Sequence, residues 1–263
     1  MKTKNIVRIL LSLVLVFGFS SAWAKTIKWS MQGDSLTLDP HAQNEGPTTQ
    51  VSRQVYEALV QRGLDMKIGP ALATKWKATD PNTWVFTLRE DAKFSDGSGM
   101  TSADVVFSLK RQFDKSHPFN KIGGAFKYWS AMDMSNIVKD IVAVDKYTVK
   151  FTLKKKEAPF IANLGMEFAS ILSNDYANML MKKNKTGDLG KKPVGTGPFV
   201  FVKWVKDDKI IYTANKNYWN GRPYLNKLIF KVITNNAVRA AELKAGSIHM
   251  MDFPNPAEVA GLE

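Results

Sequence analysis

Cysteine is absent from all 263 residues. That single absence excludes a disulfide framework, a thiolate metal site and a lipid-modified cysteine behind an export signal. Histidine is scarce: His41, His117 and His249 are scattered along the chain and form no metal-ligand spacing. Long apolar runs are also missing. The longest, Ile9 to Phe19, has 11 residues, against the roughly 20 that a membrane-spanning helix needs. Acids are the minority charge, 24 against 37 lysines and arginines, which gives a formal net charge of +13.

What is present at the N-terminus explains the short apolar run. Lys2, Lys4 and Arg8 precede it, and Ala22, Trp23, Ala24 follow it in a small-x-small pattern. This is the layout of a secretory signal peptide, with cleavage expected after Ala24. Residues 25–263 are then long enough to bury a core without covalent staples, and export without lipidation points to a periplasm. The basic balance raises the question of nucleic acid. Its lysines stand in short separate groups, Lys154 to Lys156, Lys182 with Lys183 and Lys185, and Lys191 with Lys192, without interleaved aromatics. They read as solvated faces, and nucleic acid is not an expected partner.

Along the chain, Thr26 to Ser30 reads as a strand and Gln32 to Pro47 as a polar loop. Pro47 opens a helix whose apolar positions Val51, Val55 and Leu59 recur every four residues, with Gly63 past its end. Gly69 to Trp76 reads as a loop, Asp80 to Asn82 as a turn and Trp84 to Arg89 as a strand. Thr101 and Asp104 have the spacing of a capping box before a helix that turns Val105, Val106, Leu109 and Phe113 inward. Hairpins are expected over Ile137 to Leu153 and Phe199 to Ala214. A strand (228–233), helix (236–245), Gly246 cap and strand (248–251) then form an α/β unit. No internal repeat is visible.

Catalysis finds little support. Asp207 with Asp208 lies in an expected hairpin turn, where acids bond the local backbone. Gly195, Thr196, Gly197 lacks the Gly-Lys-Ser/Thr continuation of a phosphate loop. No nucleophile, paired carboxylate or metal cluster stands at a diagnostic spacing, so an enzyme is not expected, nor any cofactor or metal.

Several segments carry the wording of one family: Leu38, Asp39, Pro40; Leu88, Arg89 with Phe94 to Gly97; Thr101 to Ser108; Pro193 to Phe199; and Asn217 to Trp219 with Gly221, Arg222, Pro223. The chain thereby resembles the bacterial extracellular solute-binding proteins, family 5, which feed peptide and nickel ABC importers. Glu157 to Phe160, Phe168 to Ser173 and Pro254 to Ala257 are similar to its dipeptide-binding branch. Ser95 and His249 depart from the family pattern, which often has histidine and aspartate there. The resemblance implies an α/β, periplasmic-binding-protein-like clamshell (type II, cluster C). Residues 25–60 and 193–263 would form lobe one, and 61–192 a small domain inserted in it. The second lobe, which carries the family's main acid and base for the peptide ends, would lie beyond this sequence. The sequence is therefore expected to be a fragment, a truncated reading frame or half of a split gene, marginally stable alone. In lobe one, Gln43, Asn44, Glu45 and Gly46 match the family's ligand-facing loop ahead of the first helix. The implied partners are a short peptide ligand, dipeptides foremost, and an inner-membrane ABC permease, with a monomer expected for the complete protein. The alternatives are a periplasmic peptide-handling chaperone or interaction protein, or a relative binding haem, δ-aminolevulinate or nickel.

Overall fold

The computed structural model describes residues 25–259 and 261; the leader read at residues 1–24 lies outside them. In chain order the main elements are β1 (Thr26–Met31), α1 (Gly46–Ser52), β2 (Val60–Arg62), β3 (Ile68–Pro70), β4 (Ala73–Asp80), β5 (Thr83–Leu88) and α2 (Ser102–Lys110). Two short helices, α3 (Lys127–Ala131) and α4 (Met134–Ile137), lead into β6 (Val138–Asp145) and β7 (Thr148–Leu153). Then come α5 (Phe160–Asn163), α6 (Asn174–Lys182), β8 (Phe199–Val205), β9 (Lys209–Ala214), β10 (Lys227–Val232), α7 (Asn236–Lys244), β11 (Met250–Met251) and α8 (Pro256–Val259).

The middle of the chain forms a four-stranded antiparallel sheet in the order β4-β5-β7-β6. In β7 the sequence Thr-Val-Lys-Phe-Thr-Leu alternates, and Val149, Phe151 and Leu153 are the buried set, as a period of two demands. Phe151 packs edge-on against Phe86 at 5.1 Å and Phe160 at 5.6 Å. Helix α2 lies over β6 and β7. Its expected capping box is present: the Thr101 backbone N–H donates to the Asp104 carboxylate at 2.7 Å. Val105 and Leu109 are fully buried, while Val106 and Phe113 pack at the edge of that core.

The second sheet has five strands in the order β11-β1-β10-β9-β8. Strand β1 runs parallel to both β10 and β11, and β8 and β9 complete the sheet as the expected hairpin. Its core gathers Met31, Val51, Val55, Tyr212 and Phe230, together with Leu172, Leu180 and Leu189 from the segment around α6.

Several local expectations fail for tertiary reasons. Val51, Val55 and Leu59 are all buried, yet the helix ends at Ser52. The Gly197 N–H donates to the Val55 carbonyl at 2.8 Å and the Phe199 N–H to the Gln54 carbonyl at 2.9 Å. Those carbonyls are thus drawn out of a helical ladder by a strand entering from far along the chain. A Cβ at residue 195 would lie 2.1 Å from the Val55 oxygen, so glycine is needed for this approach. Gly63 sits in the β2–β3 connection rather than past a helix. Residues 73–76, expected as loop, belong to β4, an edge strand whose mostly exposed side chains give no alternation to read. Helix α6, capped by Ser173 through the Tyr176 N–H at 3.1 Å, was not expected. The last strand shortens to Met250–Met251.

Candidate functional site

Three parallel strands end on one edge: β1 at Met31, β10 at Val232 and β11 at Met251. The crevice outside the carboxyl ends of parallel strands is where open α/β sheets receive ligands, because the loops there are free to diverge. Here the loops are residues 32–45, 233–235 and 252–255. The β8–β9 turn reaches the same edge, since Lys209 pairs with Lys231 near the end of β10.

Side chains from separate parts of the chain fasten these loops together. The Asp252 carboxylate accepts from the Trp29 indole N–H at 2.8 Å and from the Gln50 amide at 3.2 Å, linking β1, α1 and the segment after β11. Asp34 accepts from the Trp204 indole N–H at 3.0 Å, the Asp207 N–H at 2.8 Å and the Ser35 N–H at 2.8 Å. Asn235 caps α7 through the Val238 N–H at 3.0 Å, and the Asn236 amide donates to the Phe253 carbonyl at 3.2 Å. Phe253 itself is 70% exposed and has φ +48°.

The loop Gln43, Asn44, Glu45, Gly46 stands at the start of α1, one turn before Gln50. Asn44 and Gly46 are exposed, while Gln43 and Glu45 are half-buried. Glu45 caps its own helix: both carboxylate oxygens lie 3.1 Å from the Thr48 N–H, and the Thr48 hydroxyl also donates to it. Since Pro47 has no N–H, the helix start offers a ligand the Gly46 amide and the amide side chains before it, beside a carboxylate. Asp34, Gln50 and Asp252 escaped sequence reasoning. No spacing announces them: Gln50 meets Asp252 only through the β1–β11 pairing, and Asp34 meets Trp204 only through the β8–β9 hairpin.

Two buried polar networks lie behind the sheet, one at the 32–45 loop and one at its opposite end. In the first, Arg111 of the α2 C-terminus is fully buried and grips Asp39 with bonds of 2.8 and 3.1 Å. Its guanidinium also donates to the Ile122 carbonyl. His41 donates from Nε2 to the Ser170 carbonyl at 2.7 Å and turns Nδ1 to Arg111 at 3.4 Å. Burial, reinforced by the Arg111 charge, lowers His41 to about 4, so it is neutral. Burial pushes the Asp39 carboxyl up, but the Arg111 charge and hydrogen bonds, with the His41 backbone N–H at 3.1 Å, outweigh it and hold it below the usual range. In the second network Glu57 accepts from Tyr218 at 2.7 Å, Thr196 at 2.8 Å and the Trp219 indole at 2.9 Å. Burial raises its carboxyl in spite of these donors. Arg89, at the end of β5, stacks over Trp219 at 3.3 Å. Among the described residues, no group of three or more histidines and acids could hold a metal ion, and no helix is long and apolar enough to cross a membrane.

A family profile described as bacterial extracellular solute-binding proteins, family 5 Middle, matches residues 67–263. The dipeptide-binding protein of Escherichia coli (strain K12) is 34% identical over 100% of this chain and 51% of its own length. Heme-binding protein A of Haemophilus influenzae is 39% identical over 81% of this chain and 40% of its own. Among solved structures, the ABC transporter-associated periplasmic binding protein DppA from Helicobacter pylori, in complex with the peptide STSA, superposes with a TM-score of 0.86 at 41% identity. That match covers 90% of this chain and 48% of the other. The chain thus spans about half the length of the curated relatives it matches.

Proposed function

The chain belongs to the bacterial extracellular solute-binding proteins, family 5, and from that premise we propose that the whole protein carrying this sequence binds short peptides, dipeptides foremost, in the periplasm and delivers them to an ABC permease. Its fold is that of the type II periplasmic binding proteins. The observation that carries the proposal is the edge just described, where the carboxyl ends of β1, β10 and β11 meet the loop before α1. A peptide lying there meets the Gly46 amide, the Gln43 and Asn44 side chains and the carboxylates of Asp34, Glu45 and Asp252. Residues 25–60 and 193–263 act as lobe one and 61–192 as the inserted domain, with a second lobe closing over the ligand. Such closure works because the ligand binds the closed state more tightly than the open one.

A dipeptide held near micromolar corresponds to about −8 kcal/mol. A ligand site normally buries about 70–90% of its ligand, so the surface of this chain alone, with roughly half the contacts, leaves about −4 kcal/mol, or millimolar affinity. Calorimetry of the whole protein against dipeptides, tripeptides, δ-aminolevulinate, haem and nickel tests the reading. Dipeptides are expected to bind, and Asp252→Ala or Asn44→Ala to weaken them. Tight binding of a non-peptide alone, haem in particular given the named relative, overturns it.

A further inference from the structure

Among the described residues β8 is the outer strand of the five-stranded sheet, and it is irregular: Phe201 pairs with Tyr212, but Lys203 pairs with Ile211, so Val202 is the extra residue of a β-bulge. In a regular strand neighbours point to opposite faces, whereas a bulge re-aims side chains. As a result Phe201, Val202, Lys203 and Trp204, four consecutive residues, line one cavity of 630 Å³. Val202 is 54% exposed in it, and across from it Leu36 is 69% exposed.

The far wall is fixed. The Leu38 N–H donates to the Gly190 carbonyl at 2.8 Å, and a Cβ on residue 190 would lie 2.6 Å from the Thr37 hydroxyl, so glycine allows the two segments to touch. The floor is thus apolar and aromatic on both sides. Its rim carries Lys191, Lys192, Lys203 and Lys206. Acids nearby are engaged elsewhere: Lys192 takes Asp188 at 3.0 Å, and Asp34 serves the Trp204 indole and the Asp207 amide. Among the described residues no carboxylate lies in ion-pair reach of Lys191, Lys203 or Lys206.

We propose that this cavity, on the outer side of the 32–45 loop beside the carboxyl edge, is a second binding site for a small amphipathic anion: an aliphatic or aromatic body against Leu36, Phe201, Val202 and Trp204, with its carboxylate among Lys191, Lys203 and Lys206. The volume falls in the range of small-molecule sites. A cationic rim over an apolar floor selects for an acid with an apolar tail and against the corresponding cation or a free inorganic anion.

The test uses dodecanoate as probe, the Trp204 indole resonance as local readout and dodecyltrimethylammonium as the control of opposite charge. Dodecanoate is expected to shift that resonance and to bind less well in 0.5 M salt. The double substitution K203E/K206E is expected to weaken it about tenfold or more, and Val202→Asp, at a position 54% exposed, to abolish it. Val202→Asp leaves the dipeptide affinity unchanged while it removes dodecanoate binding, which separates this site from the peptide reading. No shift up to about 1 mM dodecanoate, equal binding of the cation, or binding to phosphatidylglycerol vesicles without binding of the soluble acid overturns the proposal.

Discussion

The four-stranded sheet closes within residues 73–153 by antiparallel neighbours, whereas the five-stranded sheet joins β1, near the start of the described chain, to β10 and β11 near its end. The first is a product of local pairing, and its core is apolar and aromatic throughout. The second is held by long-range parallel pairing and carries the candidate edge. Between them lie the buried Arg111 with Asp39 and His41, and Arg89 stacked over the Trp219 that Glu57 holds, beside apolar contacts through Phe107 and Phe119. Apolar packing makes each unit cohere, and buried charge fixes how one sits on the other, because a misplaced ion pair costs far more than a misplaced methyl group.

The strongest way to break this division is Arg111→Met. It leaves Asp39 buried without its partner, which costs about 3–5 kcal/mol. Denaturant unfolding followed by near- and far-ultraviolet circular dichroism should show the loss, with the five-stranded unit melting ahead of the four-stranded one. A loss under 1 kcal/mol with one coincident transition would count against a polar seam.

Acid provides the next largest effect. His41 is neutral in the fold, at about 4, while in the unfolded chain it titrates near 6.5. The unfolded state therefore takes up a proton first as pH falls. Stability from this group is complete above about 6.5 and is lost between there and 4, by at most about 3 kcal/mol. Comparing urea midpoints at several pH values for the parent and His41→Gln isolates it: the variant should have the flatter acid limb, and parallel limbs would sink the assignment.

Glu57 works with the opposite sign. Its folded carboxyl is raised, so ionisation disfavours folding as pH climbs from the unfolded value near 4.5 through the higher folded one. Its three donors make the charged form useful nonetheless. Glu57→Gln turns an amide N–H toward one of them and should cost about 1–3 kcal/mol at neutral pH, read by thermal melting, with Tyr218→Phe giving part of the same loss. Smallest is Thr101→Ala. It removes half of the α2 capping box and about 1 kcal/mol, and calorimetry should place that loss in the four-stranded unit, against which α2 packs.

This division also decides what the sequence could tell. Local features were legible: the Val149, Phe151, Leu153 alternation, the Thr101 and Asp104 box, and the β8–β9 hairpin with Asp207 in its turn. These depend on neighbours a few residues away. The end of α1 was not, because it is set by carbonyl bonds to residues 197 and 199. Strand β4 was hidden by its exposed, charged face. Of the candidate site, the 43–46 loop was visible through family wording alone. Gln50 and Asp252 become neighbours only once β1 and β11 are paired, and Asp34 meets Trp204 only once β8 joins the same sheet.

The parallel pairing of β1 with β10, Thr26 beside Lys227, also sets an order of events during synthesis. The first strand to leave the ribosome waits for a partner about two hundred residues behind it, about 10–40 s at usual elongation rates. During that interval the segment 73–153 is already complete and can collapse, while β1 presents an unpaired edge. Among the described residues the five-stranded sheet therefore closes after the four-stranded one, and its edge is the later of the two to become a surface on which anything could dock.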